Sequence, residues 1–571
     1  MSKDAPFGFW PSPITGELVA GRTRRFGHLT CDEGQIYWCE SRPEEEGRSV
    51  IVRAAVATPN QHEDVLPAPW SASARVHEYG GGEFSVADGR VWFVNAEDQD
   101  IYLISLGGVS RITRVPEMRF TDLVPLPERE RLFAVAEQEI EGAHHPQNMI
   151  VEIDVPTGSV IPVVTGSDFY AQLRLSPNAR NLAFIAWNLP DMPWDSAALF
   201  TATVQDNGLA APTRLTTQDV GAVFQPEWET DETLRYVSDV DGFGRLYRQN
   251  IAEPGTPKEP LTPPDEDLLR PLWNFSMRSH AHNGTALWTS GFRDGESIIR
   301  RDSEAVLADL VEFADPAPVA DGVAAYAAYA DRPTELVFAN RTGKIRTVRT
   351  SADVTVDASY FSPAEVVHFE GADGASVAAL YYPPTNGIVA SAADARPPAI
   401  VTAHGGPTGM AKRGLMLKTQ YWTSRGFAVL DVDYSGSSGY GRAYRERLDS
   451  TWGVRDVADV VAAANWLSAS GRADGDRLAI SGGSAGGYTV LMALATSTVF
   501  NAGACHYGIG DLAKLLKFTH KFEAGYLYRL FGVGPDDWEE TFAARSPINM
   551  LDGFRTPTIF FQGADDAVVP P

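Results

Sequence analysis

From about residue 25 to 355 the hydrophobic positions fall in short runs that alternate with polar ones and stop at Gly, Asp, Asn or Pro. QIYWCE at 35–40, RVWFVN at 90–95, IYLIS at 101–105 and NMIVEID at 148–154 are of this kind. NLAFIAW at 181–187, ALFTATV at 198–204, TLRYVS at 233–238, RLYRQ at 245–249, TALWTS at 285–290 and ELVFAN at 335–340 continue the series. Aromatic and β-branched residues suit a pleated, half-buried surface, so each run predicts a short strand. A pairing recurs: LSPNARNLAFIAW (175–187) is followed by PWDSAALFTATV (193–204), and FQPEWETDETLRYVSD (224–239) by DGFGRLYRQNI (241–251). Each pair reads as a Pro-containing turn, a strand, a polar loop and a second strand, the grammar of a propeller blade. So long a series of short strands exceeds one β-sandwich, and the expectation is an all-β propeller over 25–355.

After Pro363 the pattern changes. PPAIVTAHGG (397–406), FAVLDVDYSG (427–436), DRLAISGGS (476–484), NAGACHYG (501–508) and TPTIFFQG (556–563) are almost continuously apolar. Such runs belong to parallel strands whose two faces are covered by helices. One covering helix is predicted at 455–470, where Val457, Val460, Val461, Ala464 and Leu467 recur at helical spacing. A second, dense in Ala, Leu and Met, is predicted at 485–497. Residues 356–571 are therefore read as an α/β domain.

Chemistry concentrates in that second part. Gly482-Gly483-Ser484-Ala485-Gly486 follows an apolar strand and opens a helix. In a chain with 51 glycines the bare G-x-S-x-G carries little, but strand, turn and helix together make a nucleophile elbow, with Ser484 as nucleophile. His404-Gly405-Gly406-Pro407 also ends an apolar strand. Its glycines would let the Gly406 N–H approach a substrate carbonyl, and with the Ala485 N–H it forms a candidate oxyanion hole. His404 precedes the elbow, against the hydrolase order Ser…Asp…His, so it is read as structural or as a donor beside the oxyanion. FQGADDAVVPP at 561–571 places Asp565 and Asp566 after a late strand, where an orienting carboxylate belongs.

RVHEYGGGEF (75–84), HGGP (404–407), DYSGSSGYG (433–441), GGSAGG (482–487), RSPI (545–548) and QGADDAVVPP (562–571) occur in that order. Together they resemble the prolyl oligopeptidase family, in its bacterial acylaminoacyl-peptidase or dipeptidyl-aminopeptidase-like branch. The resemblance runs from WPSPIT at 10–15 to the last residue. It implies a seven-bladed propeller capping an α/β-hydrolase domain, with residues 1–24 packing on the latter. It also implies a serine peptidase that admits short peptides, works by acyl transfer through Ser484 and needs neither a metal nor an organic cofactor. Of the two acids the resemblance favours Asp566, by its spacing to Val569-Pro570. One departure is Ser435, where the family's D-Y-R-G-S motif has arginine; a structural salt bridge is at stake rather than the chemistry.

The larger departure concerns the base. In the family a histidine follows the acid after one more strand, whereas none of the eleven histidines here lies after Asp566. His506 and His520 fall between nucleophile and acid, and His506 ends a strand as a core or rim residue. The expectation is a truncated sequence whose hydrolase domain lacks its last strand and helix, leaving an apolar sheet edge bare and activity impaired. Two rival readings are an esterase and a non-catalytic propeller scaffold with a vestigial hydrolase half.

Composition narrows the remaining classes. A formal net charge of −26 repels phosphate backbones and argues against nucleic-acid binding. The three cysteines, Cys31, Cys39 and Cys505, form no Cys-x-x-Cys pair and suit a reducing compartment. The first residues, MSKDAPFGFWPSPITGELV, have no apolar signal core, and no long apolar run follows, so a cytoplasmic protein without a membrane span is expected. Short peptides are the expected partners; a homo-oligomer is left open, as is the choice between exo- and endopeptidase.

Overall fold

The computed structural model describes residues 3–216, 221–252, 258–371, 373–566 and 568–569. Seven four-stranded antiparallel sheets succeed one another over 26–64, 84–111, 118–164, 169–214, 223–260, 280–305 and 312–350. In each sheet the strands follow chain order, and the first strands of neighbouring sheets pack on one another around a common axis. This is the seven-bladed propeller. Trp38, Trp92, Trp194 and Trp288, all fully buried, help to fill the space within and between blades.

Strands predicted at 181–187, 233–238 and 335–340 form over those residues, while the one read at 285–290 runs Leu287–Arg293. The axial strands Met118–Leu126, Phe169–Leu175, Val223–Trp228 and Glu312–Val319 lie outside the runs picked from the pattern. The reason is physical. Each has a break in register, and Asp122, Gln172, Gln225 and Asp315 stand there at φ of 50–57°. These four polar side chains tie blade to blade. Asp122 accepts the Leu173 N–H (2.8 Å), Gln172 the Gln225 N–H (2.6 Å), Gln225 the Ser279 N–H (2.7 Å) and Asp315 the Arg278 N–H (2.9 Å). A bulge thus turns a polar residue into an acceptor, buried at Asp122, Gln172 and Gln225 and half-buried at Asp315, and the apolar alternation is lost locally. The seventh blade closes on the first through side chains: Tyr326 donates to the Gly27 carbonyl (2.9 Å), and Arg349 to the fully buried Glu40 (2.8 Å).

The C-terminal part is a seven-stranded sheet. Its strands are β1 (Glu365–Glu370), β2 (Ser376–Tyr382), β3 (Ala399–Ala403), β4 (Ala428–Asp433), β5 (Leu478–Gly483), β6 (Ala502–His506) and β7 (Thr558–Phe561). Their order is β1-β2-β4-β3-β5-β6-β7, antiparallel at β1 and β2 and parallel from β4 onward. Helix α1 (Arg455–Ala469) buries Val457, Val460, Ala463, Ala464 and Leu467; α2 (Ala485–Thr496) is buried along nearly its whole length. The segment between β6 and β7 carries α3 (Leu512–Phe518), α4 (Lys521–Ala524), α5 (Tyr526–Phe531) and α6 (Glu539–Arg545). No helix among the described residues is long and apolar enough to cross a membrane.

Three further features bear on the site. Near the N-terminus, Lys3–Asp4 pairs with Val389–Ala390, Trp10 donates to the Ala5 carbonyl and Ser391, and Ser12 meets Ser424 at 2.6 Å, all on the hydrolase side. Strand β7 pairs with β6 alone among the described residues, and its Ile559, Phe560 and Phe561 are 54%, 62% and 47% exposed. Finally, the two halves are joined by buried charge. Arg445 donates to Asp239 (2.5 Å) and to the Trp194 carbonyl (2.9 Å), while Asp267 accepts the Gly441 N–H (3.0 Å).

Candidate active site

Strand β5 runs into Ser484, which stands at φ 56°, ψ −125°, and α2 starts at the next residue. A side chain held there costs backbone strain, on the order of 1–3 kcal/mol, and needs an over-determined surround. Glycines supply it. A Cβ on Gly486 would stand 2.2 Å from the Ala403 carbonyl oxygen, and one on Gly487 2.6 Å from Gly508. The Ser484 N–H is held by the His506 carbonyl (3.1 Å), so β6 also fixes the turn. Among the described residues the Ser484 hydroxyl has no hydrogen-bond partner.

The loop after β3 lies directly against this turn: a Cβ on Gly405 would be 3.6 Å from the Ser484 Cβ. Gly406 has φ +107°, which favours glycine, and its N–H has no partner among the described residues. The Ala485 N–H, at the start of α2, is equally free, so two backbone donors flank Ser484. His404 faces inward. Its Nδ1 lies 3.0 Å from the Gly405 carbonyl and its Nε2 2.7 Å from the Ser437 hydroxyl, which itself donates to the Tyr434 carbonyl (2.7 Å), and its ring stacks on Tyr434 at 4.4 Å. Burial pushes its pKa down, so the ring is neutral and occupied with the loop.

Asp566 reaches the same end of the sheet. Gly483, His506 and Phe561 are in register across β5, β6 and β7, and the turn carrying Asp566 follows Phe561. Its Oδ1 accepts the N–H groups of Val568 (3.0 Å) and Val569 (2.9 Å), while Asp565 is exposed. Asp566 and Ser484 do not touch through a hydrogen bond, and no histidine side chain bonds to either among the described residues. His506 stacks on Phe561 at 4.7 Å, and burial lowers its pKa. Both His520 ring nitrogens are buried without a hydrogen-bond partner, with Nε2 4.0 Å from the Glu523 carboxylate.

The sequence reading did not see the arm formed by α3 to α5. It leaves the sheet and inserts into the propeller. Lys521 donates to Asn148 and to the Asp168 carbonyl (2.9 Å each), and Tyr79 donates to Glu523 (2.6 Å). Phe522 sits in a nest of aromatic rings from His77, Trp194 and Trp273. The signal was the helical spacing of Leu512, Leu515, Phe522, Tyr526 and Leu530, all buried. Tyr507, at φ 41°, lies beside the elbow, 3.0 Å from where a Gly483 Cβ would stand.

Two carboxylates behind the site bear on stability. At Ser435 the backbone N–H donates to Asp459 (2.8 Å). Asp456, fully buried, accepts from the Gly453 N–H (2.7 Å) and the Thr489 hydroxyl (2.6 Å). Burial pushes its carboxyl up from 3.8 to about 6. Between those values the folded chain holds a proton that the unfolded chain has lost, so stability from this group falls as pH rises through the window. Asp456→Asn has no such proton to lose. Its stability relative to the parent should therefore improve by about 2–3 kcal/mol between pH 4 and pH 7. Thermal melts of both proteins at the two pH values check this; a pH-independent difference would contradict it.

Among the described residues, no group of three or more His, Cys, Asp and Glu side chains is placed to hold a metal ion. The family model for the prolyl oligopeptidase family matches residues 414–571. Dipeptidyl aminopeptidase BIII of Pseudoxanthomonas mexicana is 31% identical over 179 residues, 30% of this chain and 26% of its own length. Acylamino-acid-releasing enzyme 1 of Oryza sativa subsp. japonica is 31% identical over 183 residues, 30% of this chain and 24% of its own. The match thus spans about a quarter of these curated relatives' length. Solved structures match far more. A puromycin-hydrolysing peptidase of Mycobacterium tuberculosis superimposes with a TM-score of 0.93 at 34% identity, over 100% of this chain and 90% of its own. A puromycin hydrolase does so with a TM-score of 0.92 at 32% identity, again over 100% and 90%. An elbow serine between two free backbone donors, under a seven-bladed propeller and with this likeness over the full chain, places the protein in the prolyl oligopeptidase family.

Proposed function

We propose that the chain is a serine peptidase of short peptides working by acyl transfer. Ser484 Oγ attacks the scissile carbonyl carbon as a base takes its proton, and the carbonyl oxygen becomes an oxyanion. The Gly406 and Ala485 N–H groups receive that oxyanion. Collapse breaks the C–N bond, the amine leaves with a proton from the same base, and water then hydrolyses the Ser484 ester. The observation that carries this reading is the strained Ser484 turn lying against Gly405, with both N–H groups free.

The base is proposed to lie outside residues 1–571, with Asp566 orienting it. Three facts support this. No histidine side chain bonds Ser484 or Asp566 among the described residues, and β7 offers a bare apolar edge beside Asp566. The third is that the solved relatives carry about a tenth more chain than matches here. Confinement to short peptides is inferred from the propeller, whose Tyr79 and Trp273 roof the arm next to the site. Amide rather than ester substrates are favoured by the names of the relatives, which include puromycin-hydrolysing and acylamino-acid-releasing enzymes. The free Ser484 hydroxyl also suits a non-catalytic scaffold, and one experiment separates the two. In residues 1–571 extended by the C-terminal tail of a puromycin-hydrolysing relative, Ser484→Ala should abolish cleavage of peptide nitroanilides, down to the background of a few per cent or less; cleavage unchanged by the substitution would refute the nucleophile assignment, and no cleavage by the extended parent would favour the scaffold.

A further inference from the structure

We propose that Trp273, a propeller residue between the fifth and sixth blades, is a positioning residue for the oxyanion donor Gly406; this rests on the acyl-transfer reading above. The loop 404–409 is clamped from two sides. From the hydrolase core, Tyr434 donates to the His404 carbonyl (2.9 Å) and the Ser438 N–H to the Gly409 carbonyl (2.7 Å). From the opposite side every bond ends on Thr408, which is buried. The Tyr526 hydroxyl, on the arm, accepts the Thr408 N–H (3.2 Å) and meets its Oγ1 at 2.5 Å, while the Trp273 indole Nε1–H donates to the Thr408 carbonyl (2.8 Å).

That carbonyl is next to the donor. A Cβ on Gly406 would stand 3.2 Å from the Thr408 oxygen and 3.7 Å from Trp273 Cζ2, so the indole both fixes the carbonyl and walls the glycine. At φ +107° Gly406 is in a region where the free chain has wide choice, and the direction of its N–H follows from how its neighbours are pinned. The bond is specific to one ring of the nest. Trp194 lies 4.6 Å from Trp273 by ring centroids and is fully buried, yet its Nε1 has no hydrogen-bond partner among the described residues. Trp273 itself is braced by Tyr79 at 5.2 Å and Tyr526 at 6.0 Å.

One oxyanion donor is therefore aimed by the propeller. Separating the two halves would take the indole N–H from the Thr408 carbonyl and the wall from Gly406 while leaving the hydrolase sheet as it is.

Trp273→Phe keeps the ring and removes the donor; Trp194→Phe removes a donor that holds nothing. In the full chain, hydrogen exchange of the 404–411 segment should speed up about tenfold or more in Trp273→Phe and match the parent in Trp194→Phe. For a peptide nitroanilide, and in the chain extended by the C-terminal tail of a puromycin-hydrolysing relative, Trp273→Phe should lower kcat about 10–100-fold with KM nearly unchanged, as expected when a transition-state donor is misaimed. Unchanged exchange and kcat would overturn the proposal, as would equal losses in both variants, or a raised KM at constant kcat, which would make Trp273 a substrate contact. Absence of turnover in the tail-extended parent would count against the acyl-transfer reading alone, because the exchange comparison still decides whether Trp273 holds the loop.

Discussion

Residues 1–571 followed by the C-terminal tail of a puromycin-hydrolysing relative are expected to cleave a peptide nitroanilide about a thousandfold or more faster than residues 1–571 alone. The magnitude follows from what a base does. Ser484 without a proton acceptor is a weak nucleophile at neutral pH, and the oxyanion donors and binding alone leave only residual catalysis. The other proposed parts are in place: the serine is strained, its hydroxyl and the Gly406 and Ala485 N–H groups have no partner among the described residues, and Asp566 is held in its turn. The tail should also change the surface. Strand β7 presents Ile559 and Phe561 on one face and Phe560 on the other, all about half exposed or more, and an added strand would cover that edge. Equal rates for the two chains would refute the assignment of the base to the tail. A rate gain that survives Ser484→Ala would point to contaminating activity or to another nucleophile.

Arg445→Met should destabilise the chain by about 3–5 kcal/mol, the cost of stranding a buried charge. Arg445 and Asp239 come from different halves of the chain, and both are nearly inaccessible to solvent. Asp239 keeps the Ala222 N–H (2.7 Å) as acceptor but would lose its guanidinium, while Arg442 stands at 3.9 Å. A second change, Asp239→Asn, removes the stranded charge and should recover most of the loss. Thermal unfolding of the single and double variants reads this out. A neutral Arg445→Met would mean that the domain interface does not depend on this pair, and the coupling between docking and the oxyanion loop would lose its mechanical basis.

Much of the architecture was legible in the sequence because it repeats. Short aromatic strands at 181–187 and 233–238 gave the blades, and continuous apolar runs at 399–403 and 478–483 gave the parallel sheet. The elbow was legible for a different reason: only glycine fits at Gly482, Gly486 and Gly487, so the motif is written into the residues themselves. What escaped was tertiary. Asp122, Gln172, Gln225 and Asp315 look like interruptions in a strand, yet their side chains join the blades, and no local pattern distinguishes a buried acceptor from a turn residue. The arm at 512–531 showed helical spacing but gave no sign of which surface it would enter. Trp273 was equally silent, since its role depends on Thr408, 135 residues away in the chain.

The most direct test of the central claim is to trap the acyl group. The tail-extended chain, mixed with a nitrophenyl ester of a blocked amino acid and quenched in acid, should carry the acyl mass on the peptide containing Ser484. The Ser484→Ala chain should carry none. Turnover with no label on Ser484, or with the label on another residue, would contradict the account.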